Sequence, residues 1–200
     1  MEKDINLSYR LFRVPALELT SAKKKVVAGL IDASGSMGSY WKAMVKFWNQ
    51  SIAESAEFLI TFSQKAKLEE NPVLNEDLRK HGGGMTNIYA AFEKLEDRLM
   101  EVDETASITI VFISDGQDTV NGEHKLVEKM KKLRGGMGRD ITMLCLGIQS
   151  GFPTKISMDI RQLYHTGDEK IPALYLIEYA SEKAFFNKFE TMANCFKVAN

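Results

Sequence analysis

The sequence lacks the features that mark disulfide-bonded or membrane-spanning proteins. Its 200 residues include only 2 cysteines, which do not suggest a disulfide framework. No apolar run approaches the roughly 18 residues that a membrane span needs, and the first residues lack the basic and apolar stretches of a signal peptide. We therefore expect a cytoplasmic protein without a membrane span, in which Cys145 and Cys195 are buried free thiols.

The chain also lacks an excess of charge of either sign. It has 26 Lys and Arg residues against 27 Asp and Glu residues, and its formal net charge is -1. This balance gives no reason to expect binding to nucleic acid or to an anionic membrane. Lysines cluster at 23–25 and, with Arg134, at 129–134, and we interpret both groups as solvated surface. Hydrophobic residues make up 44% of the chain, as in ordinary globular proteins.

Short apolar runs alternate with amphipathic helical patterns along most of the chain. We predict buried strands at 25–31, 58–63, 107–114, 141–148 and 173–178, and a short, more polar edge strand at 65–70. We predict helices at 39–56, 86–100, 123–133, 155–165 and 181–196. The third of these is expected to stop at Gly135-Gly136. In the first, the stripe of Trp41, Val45, Trp48 and Ile52 predicts helix packing.

Strands that are apolar on both faces and separated by helices predict a doubly wound α/β fold. We expect a mostly parallel central sheet with one short antiparallel edge strand and helices on both faces. Residues 23–200 form one domain in this interpretation, and residues 1–22 form an N-terminal arm. The segment 9–14 is either an added strand or a partner-binding arm, and Pro15 restricts it to the edge of a sheet.

Two of the predicted strands end in an aspartate that a polar turn follows. The first leads into Asp32-Ala-Ser34-Gly-Ser36, and the other leads into Asp115-Gly-Gln-Asp118. Ligands of doubly wound sheets bind beyond the carboxyl ends of the strands, at the point where the winding reverses. If the two strands are neighbours there, Asp32 and Asp115 face one crevice. Their mutual repulsion would raise one pKa, and a divalent cation would remove that repulsion.

Hydroxyl groups complete a set of hard oxygen ligands. Ser34 and Ser36 are two residues apart in one loop, and the glycine run 82–84 leads to Thr86 at a helix start. Oxygen ligands without sulfur or imidazole favour Mg²⁺, Mn²⁺ or Ca²⁺ over Zn²⁺ or Cu²⁺. Mg²⁺ is the expected metal inside a cell, and Mn²⁺ and Ca²⁺ remain alternatives.

The five residues together resemble the metal-ion-dependent adhesion site of von Willebrand factor A domains. The site residues are Asp32, Ser34, Ser36, Thr86 and Asp115. All five positions carry the expected residue types in the expected order, and the resemblance covers residues 23–197. It implies that Ser34, Ser36 and Thr86 contact the metal, while the two aspartates act through water or orient the ligands.

What the resemblance implies for function is protein binding without catalysis. The family holds a six-coordinate ion whose last position is taken by a Glu or Asp carboxylate of a protein partner. By this resemblance the chain is a metal-dependent protein-binding module, not an enzyme, and we expect it to be a monomer in isolation. The N-terminal arm departs from the family pattern and has no role to carry over.

Each site residue also has a structural explanation when it is taken alone. Asp32 and Asp115 could bond their own turns. Ser36 or Ser39 could cap the helix that follows, and Thr86 could cap the next helix. Asp118 lies just beyond the motif, where it could feel the ion, but it is expected to serve its turn. The metal site is therefore a hypothesis about all five residues at once.

Two other functions stay open. The first is a Mg²⁺-dependent phosphotransferase or hydrolase with Asp32 as its nucleophile. Such enzymes usually carry a second acid two residues on, where this chain has Ser34, and a Lys or Arg near the phosphate. The second is a structural subunit whose metal stabilises the fold, since an ion that binds only the folded state adds stability.

Overall fold

A five-stranded sheet forms the centre of the computed structural model, which describes residues 24–81, 84–115, 118–136, 138 and 141–148. The strands are β1 (Lys25–Asp32), β2 (Phe58–Phe62), β3 (Ala66–Glu69), β4 (Ser107–Ser114) and β5 (Ile141–Gly147). Their spatial order is β3-β2-β1-β4-β5. All neighbours are parallel except β3, which runs antiparallel to β2 at the edge. The predicted doubly wound, Rossmann-like α/β fold is therefore confirmed.

Three α-helices cover the two faces of this sheet. They are α1 (Trp41–Ser51), α2 (Ile88–Leu99) and α3 (Glu123–Gly136), and two 3₁₀ helices occupy Gly35–Ser39 and Glu76–His81. The α1 helix packs on one face, where Val27 and Ile31 of β1 point. The other face, which includes Val26 and Leu30, packs against α2 and α3. Alternate residues of β1 are thus buried on opposite sides, which explains why the strand is apolar throughout.

The helix boundaries differ from the sequence-based prediction in ways that hydrogen bonds explain. The serine-rich segment 35–39 forms a 3₁₀ turn, so α1 begins at Trp41 instead of 39 and ends at Ser51 instead of 56. Asn87 caps α2 by accepting a hydrogen bond from the Ala90 N–H, so this helix begins at Ile88 instead of 86. The α3 helix continues through Gly135-Gly136, where a stop was expected.

The aromatic group on α1 is a packing group, as the helical stripe predicts. Trp41, Phe47 and Trp48 are all buried. Val45 is only partly buried, and Met44 takes the fully buried position instead. The indole N–H groups of Trp41 and Trp48 donate to the backbone carbonyls of the following loop, at Asn75 and Pro72.

The basic face of α3 is not simply solvated. The Lys129 ammonium donates to the Glu96 carboxylate of α2, and its side chain is 10% exposed. Lys132 lies 3.5 Å from the same carboxylate. These lysines hold the pKa of Glu96 below its usual value, because their hydrogen bonds and charge outweigh the cost of burial. The interpretation of 129–134 as solvated surface is therefore wrong for Lys129.

Several predictions from the sequence fall on other parts of the chain. The helices at 155–165 and 181–196, the strand at 173–178, the arm at 1–22 and Cys195 lie outside the described residues. Cys145 is a buried free thiol on β5, as expected. No helix in the described segments combines the length and the apolar character that a membrane crossing requires.

Gly29 on β1 provides the space that Trp48 occupies. A Cβ atom at this position would lie 2.3 Å from Cη2 of Trp48 and 2.8 Å from Cδ1 of Leu59. Both side chains are fully buried, so neither can move away without disturbing the core. Glycine is therefore required at this position by packing and not by a turn.

We predict that Gly29→Ala destabilises the protein by about 1–3 kcal/mol or more, as overpacked cores do, measured by chemical denaturation. In a Trp48→Phe background, which removes the clashing ring atoms, the same substitution should cost less than in the wild type. Gly84→Ala is the matched control, since a Cβ there meets nothing within 4 Å. Equal losses in both backgrounds would contradict the packing explanation.

Candidate metal centre

The site lies where the winding of the sheet reverses, between β1 and β4. From β1 the chain passes through α1 to β2 on one side, and through α2 it returns to β4 on the other. The two strands pair in parallel with Ile31 opposite Ile113. Asp32 and Ser114 are therefore neighbours at the carboxyl ends, and Asp115 is the next residue. The condition under which Asp32 and Asp115 would face one crevice, that their strands are neighbours, is therefore met.

Asp32 is buried, and both of its carboxylate oxygens accept hydrogen bonds. Oδ1 accepts from the Ser34 N–H at 2.8 Å, and Oδ2 accepts from the Ser114 hydroxyl at 2.6 Å. The first bond is the local turn bond that aspartate makes in many loops. The second joins β1 to β4 and fixes the carboxylate in a direction that no turn requires. Ser114 was not among the predicted site residues, because its partner is 82 positions away in the sequence.

Ser34, Ser36 and Asp115 form a continuous chain of oxygen atoms. The Ser34 and Ser36 hydroxyl oxygens lie 3.1 Å apart, and the Ser36 hydroxyl donates to Oδ1 of Asp115 at 3.0 Å. Because the one proton of Ser36 goes to the carboxylate, Ser34 is the donor in the first of these bonds. Ser34 is buried while Ser36 is exposed, so the chain leads from the interior to the surface.

The capping alternatives for these residues are not what the structure shows. The residue at the start of α1 is Tyr40, and no side chain caps that helix. Ser34 begins the 3₁₀ turn but makes no side-chain capping bond. The cap of α2 is Asn87 and not Thr86. The hydroxyls of Ser34 and Ser36 therefore have no capping role, and their described bonds point to each other and to Asp115.

Thr86 lies in a third loop that approaches the other two. Gly84, two residues before it, has its Cα 3.8 Å from the point where a Cβ of Gly35 would lie. The Thr86 loop and the serine loop therefore lie close to each other at these two positions. Thr86 itself is buried. All five predicted residues are accordingly placed on three loops at one edge of the sheet, although the contact between Thr86 and the serines is indirect.

Asp118 serves its turn, as expected, and also contacts a second element. Its Oδ1 accepts from the N–H groups of Val120 and Asn121. Its Oδ2 accepts from the Tyr89 N–H in the first turn of α2 at 2.7 Å. The sequence marks Asp118 as a turn residue but gives no sign of this bond to α2.

Burial raises the pKa of both aspartates. The pKa of Asp32 increases from 3.8 to about 6, mainly because its carboxylate is removed from water. Hydrogen bonds from Ser114 and Ser34 oppose this increase, and the charge of Asp115 adds to it. The pKa of Asp115 is also raised by burial, against the hydrogen bond from Ser36. Two ionised carboxylates at this position are therefore costly without a compensating cation.

The carboxylates at this edge do not form the type of site that several acidic or imidazole groups build. Among the described residues, no group of three or more His, Cys, Asp and Glu side chains is placed to hold a metal ion. Any ion at this edge would depend on serine and threonine hydroxyls in addition to Asp32 and Asp115.

Comparison with known proteins gives a likeness of fold without a close relative. The sequence matches no protein-family model and no curated protein. Its fold is similar to that of proximal thread matrix protein 1 (PTMP1) from the mussel byssus, with a TM-score of 0.61 and 16% identity over 86% of this chain and 48% of that one. PTMP1 has a von Willebrand factor A-like fold.

Two bacterial surface proteins have a similar fold. The pilus adhesin SpaC from Lactobacillus rhamnosus GG gives a TM-score of 0.57 at 15% identity, over 88% of this chain and 30% of that one. The PilB minor pilin from Streptococcus sanguinis gives 0.58 at 13% identity, over 90% and 63%. The chain thus spans less than two thirds of each of these proteins. At such identities the likeness shows a shared fold and nothing more.

We predict that Asp32→Asn stabilises the metal-free protein above the pKa of Asp32. A carboxylate whose pKa is raised on folding favours the folded state while protonated, and this contribution is lost as pH rises from about 4 through about 6. A pKa change from 3.8 to about 6 corresponds to about 3 kcal/mol. In EDTA, the free energy of unfolding of Asp32→Asn relative to that of the wild type should increase by about 3 kcal/mol between about pH 4 and about pH 7. Glu104→Gln, which changes an exposed carboxylate, should show no such growth. An advantage for Asp32→Asn that does not change with pH would contradict the assignment.

Proposed function

We propose that this chain is a divalent-metal-dependent protein-binding module that holds Mg²⁺ with Ser34, Ser36 and Thr86. Asp32 and Asp115 orient these groups and balance the charge of the ion. The observation that carries the proposal is the oxygen chain from Ser34 through Ser36 to Asp115, at the edge where strand winding reverses. The partner supplies a Glu or Asp carboxylate.

The spacing of these oxygens fits a small cation. Octahedral Mg²⁺ with bonds of about 2.1 Å holds neighbouring oxygens about 3.0 Å apart, whereas Ca²⁺ with bonds of about 2.4 Å holds them about 3.4 Å apart. The 3.1 Å between the Ser34 and Ser36 hydroxyl oxygens is close to the first value. Both hydroxyls could thus contact one Mg²⁺ ion through their lone pairs, keep their protons and require little movement of the loop.

The hydrogen bonds of Asp32 support an orienting role for this residue. One of its oxygens holds the backbone of Ser34 and the other holds Ser114. Groups that fix metal ligands in this way contribute strongly to affinity even without contacting the ion. A bound cation would also favour the ionised form of both aspartates, whose pKa values burial raises.

The arrangement is open on the side where a partner could approach. Ser36 is exposed, and so are Gly35 and Gly84 beside it. Neutral hydroxyls as the contacting groups leave positive charge on the ion, to which an external carboxylate can bind. The names of the fold neighbours, an adhesin, a pilin and a thread matrix protein, are consistent with binding between proteins.

We predict that Mg²⁺ stabilises the wild-type protein and that Ser34→Ala abolishes this effect. An ion at 100 times its dissociation constant adds about 2.7 kcal/mol to the free energy of unfolding, which thermal denaturation with and without EDTA can measure. Ser107→Ala, at the opposite end of β4, is the matched control and should respond to Mg²⁺ like the wild type. Stabilisation that survives in Ser34→Ala would place the ion elsewhere.

We further predict that a protein partner binds the wild-type domain in Mg²⁺ and is released by EDTA. In a pull-down, Ser34→Ala should not retain the same protein, while Ser107→Ala should. If Mg²⁺ raises stability but the same proteins stay bound in EDTA, the metal stabilises the fold and the interaction surface lies elsewhere, with the arm at 1–22 the next segment to test.

A further inference from the structure

The segment around Thr86 is bonded to the segment that follows Asp115. The Thr119 N–H donates to the Thr86 carbonyl at 2.8 Å, and the Thr86 N–H donates to the Thr119 hydroxyl at 3.0 Å. Both backbone groups of Thr86 are therefore held by one residue. Thr119 is five positions beyond Ser114, the last residue of β4.

Asp118 fixes the conformation of the residues that hold Thr86. Its carboxylate is buried and accepts three backbone N–H bonds, from Val120 and Asn121 in its own loop and from Tyr89 in α2. The carboxylate thus joins the loop after β4 to the first turn of α2, where negative charge is favourable. Thr86 lies between these two attachments, immediately before the helix.

Asn87 extends the same network to β2. Its side-chain oxygen accepts from the Asn121 amide at 2.8 Å and from the Ala90 N–H. Its own N–H donates to the Ser63 carbonyl just after β2. The Thr86 loop is therefore fastened on three sides. The serine loop is joined to the Asp115 end of this network through the bond from Ser36 to Asp115.

From these contacts we infer that Asp118 is a positioning residue for the metal, acting through Thr86. It fixes the turn that carries Thr119 against the first turn of α2 and so holds the backbone of Thr86, whose hydroxyl would then contact the ion from a fixed position. The inference rests on the proposed function, because it takes Thr86 as a metal-contacting residue. Nothing in the sequence motif itself points to Asp118, which lies beyond the five site positions.

The substitution Asp118→Asn tests this inference with little change in size. An amide has one accepting oxygen, so it can keep the bonds of one carboxylate oxygen while its NH₂ group opposes the N–H on the other side. Either α2 or the turn of Thr119 then loses its attachment. Substitutions of such supporting groups typically cost 10- to 100-fold in metal affinity.

The decisive experiment is a double-mutant cycle of Mg²⁺ affinity, titrated with the folded domain. Asp118→Asn should weaken binding by about 10-fold or more in the wild-type background. In a Thr86→Val background, which lacks the hydroxyl, the same change should weaken it by less than about 2-fold, since coupled residues are not additive. A purely structural role for Asp118 would lower affinity equally in both backgrounds, and that result would overturn the inference.

A matched control is available in the turn before β4. The Asp103 carboxylate accepts from the N–H and the hydroxyl of Thr105, so Asp103→Asn disturbs a similar turn at the opposite end of the strand. It should leave Mg²⁺ affinity unchanged in both backgrounds. If the wild type binds no Mg²⁺, the proposed function and this inference both fail. If the wild type binds and Asp118→Asn has no effect, only the inference fails.

Hydrogen exchange gives a second measurement that does not require metal. Asp118→Asn is expected to speed exchange of the Thr86 N–H by about 10-fold. If this variant does not fold, Thr119→Val replaces it, with the same expected effect. The Ser34 N–H, which donates to Asp32, should exchange as in the wild type. Unchanged exchange at Thr86, or equal acceleration at both positions, would overturn the inference.

Discussion

The parallel pairing of β1 with β4 is the constraint on which the rest of the site depends. It aligns Ile31 with Ile113 and so brings Asp32 level with Ser114. The chain between them passes through two α-helices and two further strands. Because both strands are apolar on both faces, they are buried between helix layers. The polar residues that follow them meet at the carboxyl ends of the strands. The position of the site is thus a consequence of the topology.

The same pairing creates a conflict between burial and charge. Asp32 is fully buried, and burial raises its pKa to about 6, so its ionised form costs more in the fold than it would in water. Two hydrogen bonds reduce this cost without removing it. Residues at such positions are better suited to a ligand than to the stability of the empty fold. A cation that the serine hydroxyls also contact would resolve the conflict.

Periodicity in the sequence is enough to predict the sheet, because strands that are buried on both faces appear as apolar runs. The run 107–114 has the same first and last residues as β4. Periodicity is less accurate at helix ends, where single hydrogen bonds decide, as Asn87 shows at α2. It also misassigned Lys129, because composition does not reveal that Glu96 faces this lysine from another helix. The long-range bonds of Ser114, Asp118 and Thr119 could not be predicted from the pattern, because their partners are about 30 to 80 positions away.

A fold shared at such low identity does not specify a function. The function depends instead on residues that the fold does not need. Asp32 makes a turn bond, and Thr86 is buried within a bonded loop, so each has a structural reason to be there. Ser36 has much less structural reason to be where it is. It is exposed, caps no helix, and donates its hydroxyl proton to the carboxylate of Asp115, which follows another strand. Its place between Ser34 and Asp115 fits the proposed ion, which the two hydroxyls would contact while Asp115 orients Ser36. Among the five residues, Ser36 therefore gives the proposal its strongest support.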